Sequence, residues 1–415
     1  MYATTPRINF LSLLPLLMVV LIDVMGLVLV FPVLAPLFLH ADSVLLAPDT
    51  STMWRDFLYG FTVSLFPFFM FFSTPVLGDL SDKFGRKKIL LICLTACGFS
   101  YAVSALGIYY HSLFTFLFGR AIAGLAAGTQ PIAAAAIIDL SNEQTKTRNL
   151  GWIVLVSSVG LVLGPLLTGV SAGVNYQFPF YIAAALSFAN AVLLFYSYQE
   201  THPVQSGHKI QLFKGFMLFV AAFSQQKFRM ISLVCFTLIL AWSLYFQVIG
   251  WFFMEEFNYD VNQLGLFIGY IGVIFIITTS LLLPYFLKLF SHPSTACLFF
   301  ILLMGAAIVG CTLTTTAYSQ WIWVIFISGS EIICYTLFME LFSNLADKDA
   351  QGWIMGVQGS IMAITWTVGG LIAGPLGYIN IRVPFWVGGV LCLISFILLC
   401  LYRRSHLNGS INIQQ

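Results

Sequence analysis

The chain has 415 residues, of which 60% are hydrophobic and 8% charged, with a net charge of +2. A soluble domain carries roughly 25% charged residues, so a soluble enzyme with a membrane tail is excluded. The basic residues stand in short groups, which leaves no nucleic-acid surface. At about 20 apolar residues per crossing, this length holds about 12 membrane helices joined by short loops.

In chain order, apolar runs predict spans over 10–36, 57–78, 89–109, 113–138, 150–172, 179–198, 231–253, 264–287, 295–316, 321–343, 351–375 and 384–402. Strands would leave unpaired backbone in lipid, so helices are expected. The first run is too long for a signal-peptide core and has no small-residue cleavage site after it, so it is read as a retained first helix.

The longest loop, about 199–230, divides the chain. It suggests a six-helix bundle over 1–198, a cytoplasmic linker over 199–230 and a second bundle over 231–415. Within the linker, Ile210 to Phe223 is too short to cross, and Lys209, Lys214, Lys227 and Arg229 flank or interrupt it. An amphipathic helix on the inner membrane surface is expected there. Fifteen of the 18 basic residues fall in segments on one side of the predicted spans. Arg55 and Arg382 fall on the other side, and Arg120 lies within the membrane. The asymmetry places both termini in the cytoplasm.

The halves echo one another. Gly151-Trp152-Ile153 opens the fifth span and Gly352-Trp353-Ile354 the eleventh; Gly164-Pro165 matches Gly374-Pro375, and Pro179-Phe180 matches Pro384-Phe385. The expectation is an all-α membrane protein of 12 transmembrane helices in two pseudo-symmetric six-helix bundles, rocking about a central site. The eight cysteines lie in apolar runs, with no Cys-x-x-Cys and no histidine at metal-ligand spacing, so they read as packing residues and no metal is expected. No Walker motif and no Ser-His-Asp set occurs, which points to no direct use of ATP, no cofactor and no enzyme activity.

Residues 78–88 read Gly-Asp-Leu-Ser-Asp-Lys-Phe-Gly-Arg-Lys-Lys. This resembles motif A of the major facilitator superfamily. Physically, Gly78 and Gly85 permit a tight helix crossing, and the cations hold the loop at an anionic leaflet. The resemblance implies that Asp82 braces the outward-facing state near the start of the eleventh helix, together with Arg86 and Asp139. Asp23-x-x-Gly26 with Pro32 and Pro36, and Arg120-x-x-x-Gly124, narrow the likeness further. The fifth span carries Gly151, Gly160, Gly164-Pro165 and Thr168-Gly169, similar to the antiporter motif of proton-coupled drug exporters. Its glycines suit close helix packing and Pro165 a kink. Gln351-Gly352, Phe178 to Ala185 and Glu200-Thr201-His202 resemble tetracycline-efflux proteins. Thr168 replaces a usual glycine, Val28 stands where a second glycine is common, the loop Lys288 to Pro293 lacks a second motif A, and the eighth span has no acid or histidine. These departures weigh against a tetracycline-specific mechanism.

Ionisable groups at mid-membrane cost about 2.5–3.5 kcal/mol on insertion scales, so they mark function. Four stand there: Asp23, Arg120, Glu331 and Glu340. At about 1.5 Å per residue, Asp23 and Arg120 reach similar depths, so they can meet directly or through water. Asp23 is the first candidate for a proton carrier; the alternative is a static pair with Arg120. The alternative for the motif arginine is that it only organises water and backbone. Glu331 is a second proton site, a counter-charge for a cationic substrate, or a packing acid, and Glu340 suits a gate or surface role. Gln130, Trp242, Tyr245, Gln247, Tyr335, Gln358 and Trp366 suit a pocket for an aromatic or amphipathic ligand, although each alone is equally a packing residue. The expected function is proton-coupled export of amphipathic compounds by a monomer in a bacterial inner membrane, with small molecule, protons and lipid as partners. The alternative is a transporter of an endogenous metabolite, either a siderophore-like exporter or a nutrient symporter.

Overall fold

A computed structural model describes residues 10–39, 43–142, 145–200, 211–290, 292–345 and 351–411. Thr201, His202, Lys209 and Ile210, all named above, lie outside them. The described residues form α1 (Phe10–Val28), α2 (Phe31–Phe38), α3 (Thr52–Phe84), α4 (Arg86–Tyr109), α5 (Leu113–Ala126), α6 (Thr129–Asp139), α7 (Lys146–Ala172) and α8 (Phe178–Ser197). They continue with α9 (Lys214–Ser224), α10 (Gln226–Phe257), α11 (Val261–Ile277), α12 (Leu283–Leu289), α13 (Pro293–Cys311), α14 (Ala317–Leu345), α15 (Gln351–Ile379) and α16 (Val383–Ile411). Twelve stretches are long and apolar enough to cross a membrane, with no strand among the described residues. The protein is an all-helical, multi-pass membrane protein.

Three crossings are interrupted, and each break has a local cause. The first splits between α1 and α2. Pro32 has no N–H to give, Val33 N–H bonds to the Val30 carbonyl 3.1 Å away, and the Leu29 carbonyl is left without its helical partner. Thr168 fills that place, its hydroxyl donating to the Leu29 carbonyl at 2.7 Å. The fourth crossing splits between α5 and α6 at Gly128, whose φ of +110° only glycine adopts readily. The eighth passes through a π-turn at Thr278–Leu282 ahead of Pro284. By contrast, α11 starts from a full capping box: Asp260 accepts from the Gln263 N–H at 2.8 Å, and Gln263 accepts from the Asp260 N–H at 3.0 Å.

The end of the bundle that carries the α3–α4 turn also carries Lys214, Lys227, Arg229, Lys288 and Arg403; we call it the basic end. At the opposite end the first six crossings meet the last six along two seams, α3 on α15 and α7 on α11. Both seams close backbone to backbone. A Cβ on Gly374 would overlap the Asp56 carbonyl, one on Gly60 the Gly370 carbonyl, and one on Gly265 would fall 2.5 Å from the Pro165 carbonyl. Tyr59 adds a hydroxyl donated to the Gln247 carbonyl at 2.5 Å. Arg55 is buried rather than lipid- or water-facing; it donates to the Thr50, Ala47, Pro48 and Phe38 carbonyls and so fastens the α2–α3 loop.

Candidate functional site

Asp23 sits on α1 where both broken crossings converge. Its carboxylate faces the start of α6, approached by the Thr129 side chain and the Gln130 backbone N–H. Neither approach closes into a formed hydrogen bond; the Thr129 hydroxyl is left buried and unpartnered. A helix start within the membrane offers unsatisfied N–H groups and a positive dipole end to a carboxylate. The break at Gly128 therefore supplies what a continuous fourth helix would lack. Asp23 is half-buried and faces protein, with Cys93, Cys97 and Tyr101 in its electrostatic range.

The expected direct pair with Arg120 is not formed. The Arg120 guanidinium lies 5.2 Å from the centre of the Phe66 ring, buried, with Nε and Nη1 unpartnered. A cation over an aromatic face gains about 0.5–2 kcal/mol. Tyr101 stands within electrostatic range of both Arg120 and Asp23. Its hydroxyl rests on Gly26, where any Cβ would overlap it. Asp23-x-x-Gly26 is thus a carboxylate followed by the seat for a tyrosine, and Tyr101, Thr129 and Phe66 are the partners that sequence reasoning missed.

The fifth-crossing glycines do two different things. Gly160 and Gly164 bring α7 against Leu21, Val24 and Met25 of α1, on either side of Asp23 in sequence; a Cβ on Gly164 would fall 2.8 Å from the Met25 carbonyl. Gly169 faces Asn262 and Gly265 of α11. A Cβ on Gly151 would meet no neighbour within 4 Å, so the close packing of this glycine series does not extend to Gly151.

In the 78–88 turn, Arg86 Nε lies 2.8 Å from Asp139 Oδ2, and Arg86 Nη2 lies 3.9 Å from Asp82 Oδ1. The Asp139 contact is an ion pair whose angle misses that of a hydrogen bond. Gly78 has open space around it, so the tight approach expected there is absent. Gly85 does make one, at φ +95°, with Glu200. Glu200 Oε2 accepts the Lys87 N–H at 2.9 Å, placing an anion on the first turn of α4.

The expected ligand residues divide between packing and interface. Trp242 and Tyr245 are buried among Phe246, Phe275 and Phe385. Gln247 donates to Ser243 and to the Trp366 carbonyl at 3.1 Å, and Gln130 donates to Ser157 at 3.2 Å. Trp366 and Phe246 meet Phe31 of the first half, with Phe31 and Phe246 centroids 4.9 Å apart, edge to face. Glu331 and Gln358 are buried with one oxygen each unpartnered; Tyr335 lies in range of Glu331, and Glu340 is exposed. A cleft of about 430 Å³ lies away from Asp23, between the α7–α8 loop and the start of α11.

Twelve crossings, two of them broken beside a membrane acid, suit a membrane transporter. The Major Facilitator Superfamily profile matches residues 16–370, and the chain belongs to that family. The family and its transporter homologues make the chain a transporter rather than an enzyme. The chain is 26% identical over 377 residues to the class C tetracycline resistance protein of Escherichia coli, covering 87% of this chain and 88% of that protein. It is 26% identical over 385 residues to the quinolone resistance protein NorA of Staphylococcus aureus (strain MRSA252), covering 88% and 89%. The crystal structure of a D-xylose-proton symporter superposes with a TM-score of 0.74 at 13% identity, covering 94% of this chain and 97% of that one.

Proposed function

We propose that this protein exchanges protons for an amphipathic organic compound, exporting it across a bacterial inner membrane by alternating access, with the basic end and both termini in the cytoplasm. The observation that carries this reading is Asp23, a carboxylate within a crossing that no cation among the described residues pairs. A permanently ionised acid would need a fixed counter-charge there. One approached by an incomplete cap at Thr129 and Gln130 can exchange its proton as that cap tightens or loosens. Packing of Gly160 and Gly164 on both sides of Asp23 gives the fifth crossing a direct hold on the acid's surroundings.

The names of the resistance-protein relatives support a drug-like substrate. The lack of any acid or histidine on α11 and α12 supports a second reading, an endogenous metabolite as cargo. Drug sensitivity and iron-limited growth of a deletion strain separate the two.

In everted vesicles, substrate addition collapses a preformed pH gradient, and Asp23→Asn abolishes the response. A normal response in the variant removes Asp23 from coupling.

A further inference from the structure

The α3–α15 seam is closed at one end only. At the opposite end Gly60 meets Gly370 and Gly374, and Ser64 meets Gly370. The two helices run antiparallel in this contact. Keeping its register along both helices brings Gly78 opposite Gly356. In the structure these two glycines do not touch. A Cβ on Gly78 would meet nothing within 4 Å, and one on Gly356 would meet only Leu218 of α9.

Helix α9 stands between the two helices at the basic end, packed on α3, α15 and α10. Gly215 sits against the Phe71 carbonyl and Pro75 of α3, where a side chain would collide. Phe219 meets Phe71 edge to face at 6.3 Å, and Leu218 and Ala222 are buried. Lys214 Nζ lies 2.5 Å from Oδ1 of the buried Asp79, and the Gln211 N–H donates to Asp79 Oδ2 at 3.3 Å. Asp79 adjoins Gly78, so the ion pair fastens α9 over one of the two glycines while Leu218 covers the other.

We propose that α9 is a removable wedge: it occupies the seat of a Gly78–Gly356 contact, holds the basic end open, and must leave before that end closes. The Asp79–Lys214 pair is its latch. The inference rests on the alternating-access reading and adds that the linker helix sets the balance between the two states.

Spin labels at Met53 and Tyr378, both exposed at the opposite end, report whether that end opens. Cysteines at Gly78 and Gly356 report closure of the basic end through oxidative cross-linking. In the otherwise unaltered chain, cross-linking is slow. Lys214→Met raises its rate about fivefold, the effect of losing an ion pair worth about 1 kcal/mol. The charge swap Asp79→Lys with Lys214→Asp returns it toward the starting rate. A disulfide joining Phe71→Cys to Phe219→Cys, whose side chains already meet, pins the wedge, suppresses the 78–356 cross-link when that pair is read by thiol mapping, and stops transport until reduced. If the Met53–Tyr378 distance never changes with pH or substrate, alternating access itself is wrong. If it changes, yet Lys214→Met leaves cross-linking unaltered or the pinned protein transports normally, the wedge is overturned.

Discussion

The two ends of the α3–α15 and α7–α11 seams use the same residue type in opposite ways. At one end Gly60, Gly370, Gly374, Gly169 and Gly265 are pressed against backbone of the other half. At the basic end a Cβ added to Gly78, Gly151 or Gly359 would meet nothing within 4 Å. Small residues let membrane helices approach closely, and that approach drives their association. On the alternating-access reading, the glycines spared at the open end mark surfaces shaped for a contact that this state lacks. The comparison also separates glycines that hold the present state from those that serve the other one.

Three substitutions test that division. Gly374→Val has the largest expected effect. Its side chain would overlap the Asp56 carbonyl, and overpacking of this kind costs about 1–3 kcal/mol. The closed opposite end should lose about 5- to 150-fold in population on that scale, seen as a longer Met53–Tyr378 distance and loss of vesicle transport. An unchanged distance would show that the seam yields elsewhere. Gly151→Val should leave thermal stability within about 0.5 kcal/mol, because its surroundings are open, yet slow transport by about fivefold if α7 closes there in the other state. Equal transport rates would remove Gly151 from any contact. Thr168→Val is the mildest. It strips the hydroxyl from the Leu29 carbonyl, and a loss of about 1 kcal/mol should lower the unfolding temperature by about 1–3 °C in a thermal-shift measurement.

The twelve crossings were legible because apolar runs of membrane length have few other uses. Their interruptions were not. Pro32 was visible, but whether a proline kinks a helix or ends it depends on what donates to the freed carbonyl, and here that donor, Thr168, lies far along the chain. Gly128 lies beside an alanine-rich run that reads as continuous helix; Gly128 followed by Pro131 was the available cue. The acid Asp23 was legible from its depth. Its neighbours Tyr101 and Thr129 were not, since one depends on Gly26 lacking a side chain and the other on the break. Asp79 stood in plain view within the 78–88 turn, but its partner Lys214 is 135 residues away and carries no local signal. Arg120 was expected to balance Asp23 because opposite charges at one depth attract; its place over Phe66 follows from helix rotation, which spacing along the chain does not give.

Glu200 and Gln211 bracket the connection between the first and last six crossings, and both bind beside the same short turn: Glu200 at the Lys87 N–H, Gln211 at Asp79. The tether begins and ends on one anchor. A protease nick between those two positions would leave the Glu200 and Gln211 contacts in place, so the severed halves would stay associated, and two co-expressed fragments would have a ready-made meeting point.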